Sequence, residues 1–276
     1  MTVLAGKAVV VTGAGRGLGA AYAIAAAAGG ASVVCADLDA DAAQRTAATI
    51  VEAGGIAVAE QVDVADWAGA AALIDGCVQR FGAIDGLVNN AGMVTVVASV
   101  SETEADLRRV IEVNLLGTAF CGTLALRHMT ARGRGAIVNV TSGAAFGVPR
   151  LAAYSASKGG VTSLTYAWAA EVAGTGVRVN AVSPNARTPL AEQLAVAFPG
   201  VPAGSDTPES NAAAVTYLLS EAAADVNGQV FVTGGPSLRR QSRPKITEIG
   251  RTGEWTPEAV AGAYGCAEQS EPGGAW

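Results

Sequence analysis

"KAVVVTGAGRGLG", residues 7–19, decides the fold. "KAVVVT" is rich in valine and apolar on both faces, which suits a parallel strand buried from both sides. It ends directly in "TGAGRGLG" (12–19), and "AAYAIAAAAGG", an alanine-rich stretch of strong helix formers, follows. Glycines placed here permit a tight turn and let backbone N–H groups approach a pyrophosphate at the helix N-terminus. A glycine-rich stretch alone is often only a turn. Between a valine-rich strand and a helix it reads as a dinucleotide-binding loop.

The same alternation runs outward from it. Short apolar runs at 7–12, 31–36, 56–62, 84–90, 135–141, 177–183 and 228–233 are separated by helix-length segments near 17–29, 39–53, 66–81, 103–131, 152–173 and 207–221. Strict β-α alternation predicts an α/β fold of Rossmann type: a doubly wound, seven-stranded parallel sheet with helices on both faces. No Pro- or Ser-rich linker interrupts it, so residues 1–235 are expected to form one dinucleotide-binding domain. Residues 236–276, with Arg239, Arg240, Arg243, Lys245 and Trp255, read as a C-terminal extension, an arm or a lid.

Composition excludes several functions. Half the chain is hydrophobic and 15% is charged, which marks a globular protein. The net charge of −6, without a basic stripe, argues against nucleic acid as a partner. No targeting segment opens the chain and its apolar stretches are short, so no membrane association is expected. Cys35, Cys77, Cys121 and Cys266 lie far apart, as reduced thiols of a cytoplasmic protein would. With His128 the single histidine, no His/Cys metal cluster can form. His128 reads as a helix cap or interface group.

The second strand ends at Asp37, where a carboxylate accepts hydrogen bonds from a ribose 2′-hydroxyl and repels a 2′-phosphate. The alternative is a cap for the following helix. Arg16 in the loop suits a 2′-phosphate, but "DLDAD" supplies acids and no base, so NAD is favoured over NADP. Asp63, ending the third strand, is placed either to reach the adenine or to cap the helix after it.

"YSASK" (154–158) sets Tyr154 and Lys158 on one helix face, four residues apart. A phenol titrates near ~10 in water, and an adjacent ammonium pulls that value down. Alone, such a pair is more often a solvated helix face. Five features in order change its reading. They are the loop glycines Gly13, Gly17 and Gly19, the turn Asn89-Asn90-Ala91-Gly92, Asn114 in "VNLLGT", Ser142 in "VNVTSGAA", and "YSASK" itself. Together they resemble the short-chain dehydrogenase/reductase family in its single-domain form, over residues 7 to 235.

The resemblance implies roles. Tyr154 would be the general acid or base, with Lys158 lowering its pKa and holding the nicotinamide ribose. Ser142 would hydrogen-bond the substrate oxygen, and Asn114 would support Lys158 through a water. Cofactor contacts would come from Gly13, Arg16, Gly17, Leu18 and Gly19 in the loop, from Asp37, Leu38, Asp63 and Val64 at strand ends, and from Asn90, Ala91 and Gly92. Tyr154, Lys158, Pro184 and Thr188 would complete them, with Val182 passing near the ring. Two departures stand out. The Ser142–Tyr154 interval is one residue short, which puts Thr141 at the commoner spacing; "TSGAA" favours Ser142. In "SPNARTPL", Asn185 replaces the usual glycine, and asparagine tolerates positive φ.

The expected activity is NAD-dependent interconversion of a secondary alcohol and a ketone. The segment between Thr188 and Pro208 lacks a charged cluster, so the expected substrate is apolar: a steroid, a terpenoid or cyclic alcohol, or a 3-hydroxyacyl thioester. The competing reading is a catalytically silent NAD-binding sensor or scaffold. The resemblance and two long apolar helices imply a homotetramer.

Overall fold

In a computed structural model, which describes residues 2–198, 206–234 and 236–268, the glycine loop does connect a strand to a helix. β1 (Ala8–Thr12) leads into α1 (Gly17–Ala28), followed by β2 (Ser32–Asp37), α2 (Ala40–Glu52), β3 (Ile56–Gln61), α3 (Trp67–Phe81) and β4 (Gly86–Asn89). Helix α4 (Glu104–Ile111) passes through a π-helical turn (Glu112–Leu116) into α5 (Gly117–Arg132). Then come β5 (Gly135–Val140), α6 (Ala152–Glu171), β6 (Val177–Pro184), α7 (Pro189–Ala197), α8 (Pro208–Leu219), β7 (Val230–Gly234), β8 (Ser237–Gln241) and α9 (Pro257–Glu268).

The strands form one sheet in the order β3-β2-β1-β4-β5-β6-β7-β8. Their alternation explains the two-sided hydrophobicity. Val9 and Val11 of β1 enter a core with Tyr22 of α1 and Leu218 of α8, while Ala8 and Val10 enter a second core with Ile74 of α3 and Met129 of α5. By length and composition 104–132 would suffice to cross a membrane. Its Cys121, Leu124, Ala125 and Met129 are instead buried in that second core.

The sheet has eight strands where seven were expected. β8 pairs antiparallel with β7, from Val230↔Gln241 to Gly234↔Ser237. Its sequence, "SLRRQ", is almost wholly exposed, so it carries no buried apolar face to recognise. Adjacent arginines on such an edge also discourage pairing with another chain. The chain divides into two compact units, Met1–Gln241 and Ser242–Trp276. In the smaller one, Thr256 Oγ1 accepts the Ala259 N–H at 3.2 Å at the start of α9. Residues 199–205, within the segment between Thr188 and Pro208, and residues 269–276 of the extension lie outside the described residues.

Helix caps resolve two open assignments. Asp39, not Asp37, caps α2 by accepting from Ala42 N–H at 3.0 Å. Asp66, not Asp63, caps α3 by accepting from Ala68 and Gly69 N–H. Both remaining carboxylates are therefore free of helix capping.

Candidate active site

A cavity of about 710 Å³ opens at the C-terminal ends of the strands, where the connections leaving the neighbouring strands β1 and β4 run toward opposite edges of the sheet. Such a switch point is where doubly wound sheets hold ligands. Every residue expected to bind cofactor lines it, and so do Ser142, Tyr154 and Lys158. Asn114 does not line it; its side chain is wholly buried behind the wall.

The loop end is built for a phosphate group. Helix α1 begins with no side-chain cap and no acidic residue in its first turn, so its N–H groups remain available to an anion. Gly13 has φ 63°, and a Cβ there would lie 2.8 Å from Ala91 Cα. A Cβ at Gly19 would lie 1.9 Å from the Gly13 carbonyl oxygen. Only glycine permits this close approach. Asn90 clamps the arrangement, its Nδ2 donating to the Thr12 and Gly13 carbonyls at 3.0 Å each. Thr12 completes the clamp by accepting the Asn90 and Ala91 N–H groups at 3.1 Å. A dinucleotide fits these residues: an open helix N-terminus at the loop and a carboxylate one strand away.

That carboxylate, Asp37, accepts from Gly15 N–H at 2.8 Å and from Asp39 N–H at 3.0 Å. Two backbone donors fix its position and leave lone pairs for further donors. Asp63 accepts from Ala65 N–H at 3.0 Å and pairs with Arg109 at 3.1 Å. Arg109 and Val113, from α4 and the π turn, line the cavity beside it. Sequence reading missed both, because an ion pair spanning 46 residues leaves no local signal.

At the other end, Tyr154 and Lys158 stand on one face of α6, Lys158 Nζ lying 5.9 Å from the Tyr154 ring centroid. Nζ donates to the Val140 carbonyl at 2.8 Å. A Cβ at Gly92 would lie 3.3 Å from Asn114 Oδ1 and 3.6 Å from Lys158 Nζ, so the two side chains converge on one point. Burial lowers Lys158 to about 8. Burial also raises the Tyr154 phenol, and its hydrogen bond with Ser142 draws it partly back down. The expected lowering by Lys158 does not prevail, because burial disfavours both charged forms. The two candidate hydroxyls also separate. Thr141 Oγ1 is buried, bonding the Lys158 carbonyl at 3.0 Å and Thr162 at 2.8 Å. Ser142 accepts from Ala144 N–H at 3.2 Å and hydrogen-bonds Tyr154.

The "SPNARTPL" turn survives without the positive φ expected at Asn185. Asn185 N–H extends the ladder to the Thr233 carbonyl at 2.8 Å, and Arg187 N–H bonds the Asp206 carbonyl. Among the described residues the one non-glycine with positive φ is Arg150, at 67°. Pro184 lines the cavity, whereas Val182 lies wholly in the core. Thr188 caps α7, accepting from Ala191 N–H at 3.1 Å, and keeps its own proton to donate. Leu190, Gln193 and Leu194 of α7 line the wall facing Met93 and Val94 of the loop after β4. None of these is charged. His128, far from the cavity, pairs with Asp75 at 3.0 Å rather than capping its helix.

Comparison with known proteins follows the same pattern. The sequence profile of the short chain dehydrogenase family matches residues 7–195. The chain is 42% identical over 238 residues to cis-4-hydroxycyclohexanecarboxylate dehydrogenase of Sinomonas cyclohexanicum, covering 83% of this chain and 95% of that protein. It is 40% identical over 248 residues to 3beta-hydroxysteroid dehydrogenase 1 of Eggerthella lenta, covering 85% and 95%. A crystal structure of a short chain dehydrogenase from Mycobacterium avium superposes with a TM-score of 0.87 at 35% identity, covering 98% of each chain.

Proposed function

The chain belongs to the short chain dehydrogenase family and is an oxidoreductase acting on CH–OH groups, and on that premise we propose that it interconverts a neutral, apolar secondary alcohol and its ketone using NAD. One observation carries the reading: Ser142, Tyr154 and Lys158 share the wall of a single cavity whose far end presents Asp37. When bound, a nicotinamide cofactor supplies the acceptor or donor of hydride. The residues do the rest. Ser142 hydrogen-bonds the substrate oxygen and holds it beside the phenol. Tyr154 takes the hydroxyl proton during oxidation and returns it during reduction. The Lys158 ammonium favours the phenolate that must form for this transfer. Asn114 holds the loop backbone against which Lys158 lies.

Asp37 supports NAD over NADP, because a 2′-phosphate would meet a carboxylate fixed by two backbone donors. The uncharged wall of α7 supports a neutral substrate. A cyclic or steroid-like alcohol suits it; the names of the two relatives give a ring alcohol that carries a carboxylate and a hydroxysteroid. The family resemblance further supports a homotetramer.

The test is the appearance of the reduced-nicotinamide absorbance with cyclohexanol, a 3β-hydroxysteroid and 4-hydroxycyclohexanecarboxylate, each with NAD+ and NADP+. Turnover of a neutral alcohol with NAD+ is expected, falling ~10²–10⁴-fold in Tyr154→Phe while NAD+ binding stays intact. Turnover confined to the carboxylate substrate would refute the neutral-substrate reading.

A further inference from the structure

Arg150 combines a strained backbone with three contacts. Its φ of 67° is the left-handed conformation that side chains rarely adopt. Its Nη1 donates to the Ala197 carbonyl at 2.8 Å, at the C-terminal end of α7. Its guanidinium lies 5.2 Å from the Phe198 ring centroid. Its own carbonyl accepts the Val97 N–H at 3.0 Å. A strained residue persists where its surroundings over-determine it, and here the surroundings are segments that build the cavity. The Val97 segment carries Met93 and Val94. Leu151, next in the chain, starts the helix that carries Tyr154. Helix α7 supplies the facing wall.

We infer that Arg150 is a positioning residue that sets the substrate end of the cavity by pinning the C-terminus of α7. Helix α7 is fixed at its other end by the Thr188 cap. Between the two ends, Leu190 and Leu194 pack on the small core formed by Val94, Leu151 and Tyr154. That core is the smallest of the three, so polar fastening at both ends matters more here than for the other helices. A helix C-terminus leaves carbonyls without partners, and a guanidinium satisfies one while also favouring the negative end of the dipole. With Arg150 engaged, the apolar wall keeps its distance from Ser142 and Tyr154, and the substrate is held rather than the cofactor.

Full-length Arg150→Gly removes the side chain and relieves the backbone strain together, so the loss should stay local to α7 rather than unfold the whole domain. Hydrogen exchange measured by mass spectrometry, without ligand, should rise several-fold in peptides covering 189–198 and stay unchanged in 208–219. With the best alcohol of the panel above, KM should rise about tenfold, as expected for one lost charge-assisted hydrogen bond. The kcat should change far less, and the Kd of NAD+, titrated by fluorescence, should not move. Arg150→Lys, which keeps the cation and the strained backbone, should fall between wild type and Arg150→Gly in both exchange and KM. Unchanged exchange at 189–198 in Arg150→Gly would overturn the pinning, and faster exchange with unchanged KM would overturn the positioning role. The kinetic arm rests on the dehydrogenase reading. If the wild type oxidises no alcohol, that reading fails and the exchange measurement alone decides the role of Arg150.

Discussion

The side-chain amide of Asn114 takes both backbone polar groups of Met93: Oδ1 accepts the Met93 N–H at 2.8 Å, and Nδ2 donates to the Met93 carbonyl at 2.9 Å. The other amide hydrogen goes to Ser157 Oγ at 3.0 Å, and Ser157 gives its own proton to the Tyr154 carbonyl at 2.7 Å. Because that proton is committed, Ser157 can only accept from Asn114, and the amide is locked in one orientation. The residue sits in the π-helical turn between α4 and α5, and such turns are often found at functional sites.

Asn114→Ala should therefore cost stability as well as activity. It strips partners from two half-buried backbone groups of Met93 and one buried hydroxyl, worth about 1–3 kcal/mol together. Urea unfolding checks this, and a variant as stable as wild type would show that these bonds contribute nothing.

The two neighbouring hydroxyls should divide their effects. Thr141→Val loses buried bonds to the Lys158 carbonyl and Thr162, so it should lower stability by about 1–2 kcal/mol and leave most of kcat. Ser142→Ala should do the reverse, keeping stability and lowering kcat about 10–100-fold. Melting curves and kinetics on both variants check the division. The opposite pattern would make Thr141 the group that holds the substrate oxygen.

Burial holds Lys158 at about 8, below its ordinary 10.5. Between those values the unfolded chain binds more protons than the folded one, so stability rises with pH. Relative to Lys158→Met, the wild type should gain on the order of 2 kcal/mol between pH 8 and pH 10. The raised Tyr154 phenol acts in the opposite sense only above its ordinary 10.0, beyond this range. Denaturant titrations of both proteins at pH 7, 8, 9 and 10 measure the difference, and a constant difference would mean that Lys158 is not depressed.

Cofactor preference should follow the charge of Asp37. Asp37→Asn keeps an acceptor for Gly15 N–H but removes the repulsion of a 2′-phosphate. The NAD over NADP ratio of kcat/KM should shrink by ~10-fold or more, equivalent to ~1.4 kcal/mol. A wild-type protein that prefers NADP would reverse the assignment.

In solution the protein should sediment well above its chain mass of 27.4 kDa, as a homotetramer does. Leu107 and Leu116, on the α4–α5 helix, are about 40% exposed and leave apolar surface for a second copy to cover. Sedimentation at the chain mass would exclude it.

The parts of this protein whose signals are local were legible in the chain alone. Valine runs apolar on both faces, the glycine loop between β1 and α1, and the i, i+4 spacing of Tyr154 and Lys158 are each written within a few residues, and the β-α alternation marks a doubly wound sheet, whose strand order only the structure shows. Tertiary structure decided what depends on distant partners. β8 has no buried face, so only pairing with β7 makes it a strand. Asp63 had two open roles until Arg109 and the cap at Asp66 separated them. Thr141 and Ser142 are adjacent in sequence and both line the cavity, and only the packing of α6 against β5 ties up the Thr141 hydroxyl and leaves that of Ser142 facing Tyr154. Burial, which no residue spacing reports, then raises Tyr154 and lowers Lys158. Removing both groups from water costs more than their local arrangement recovers.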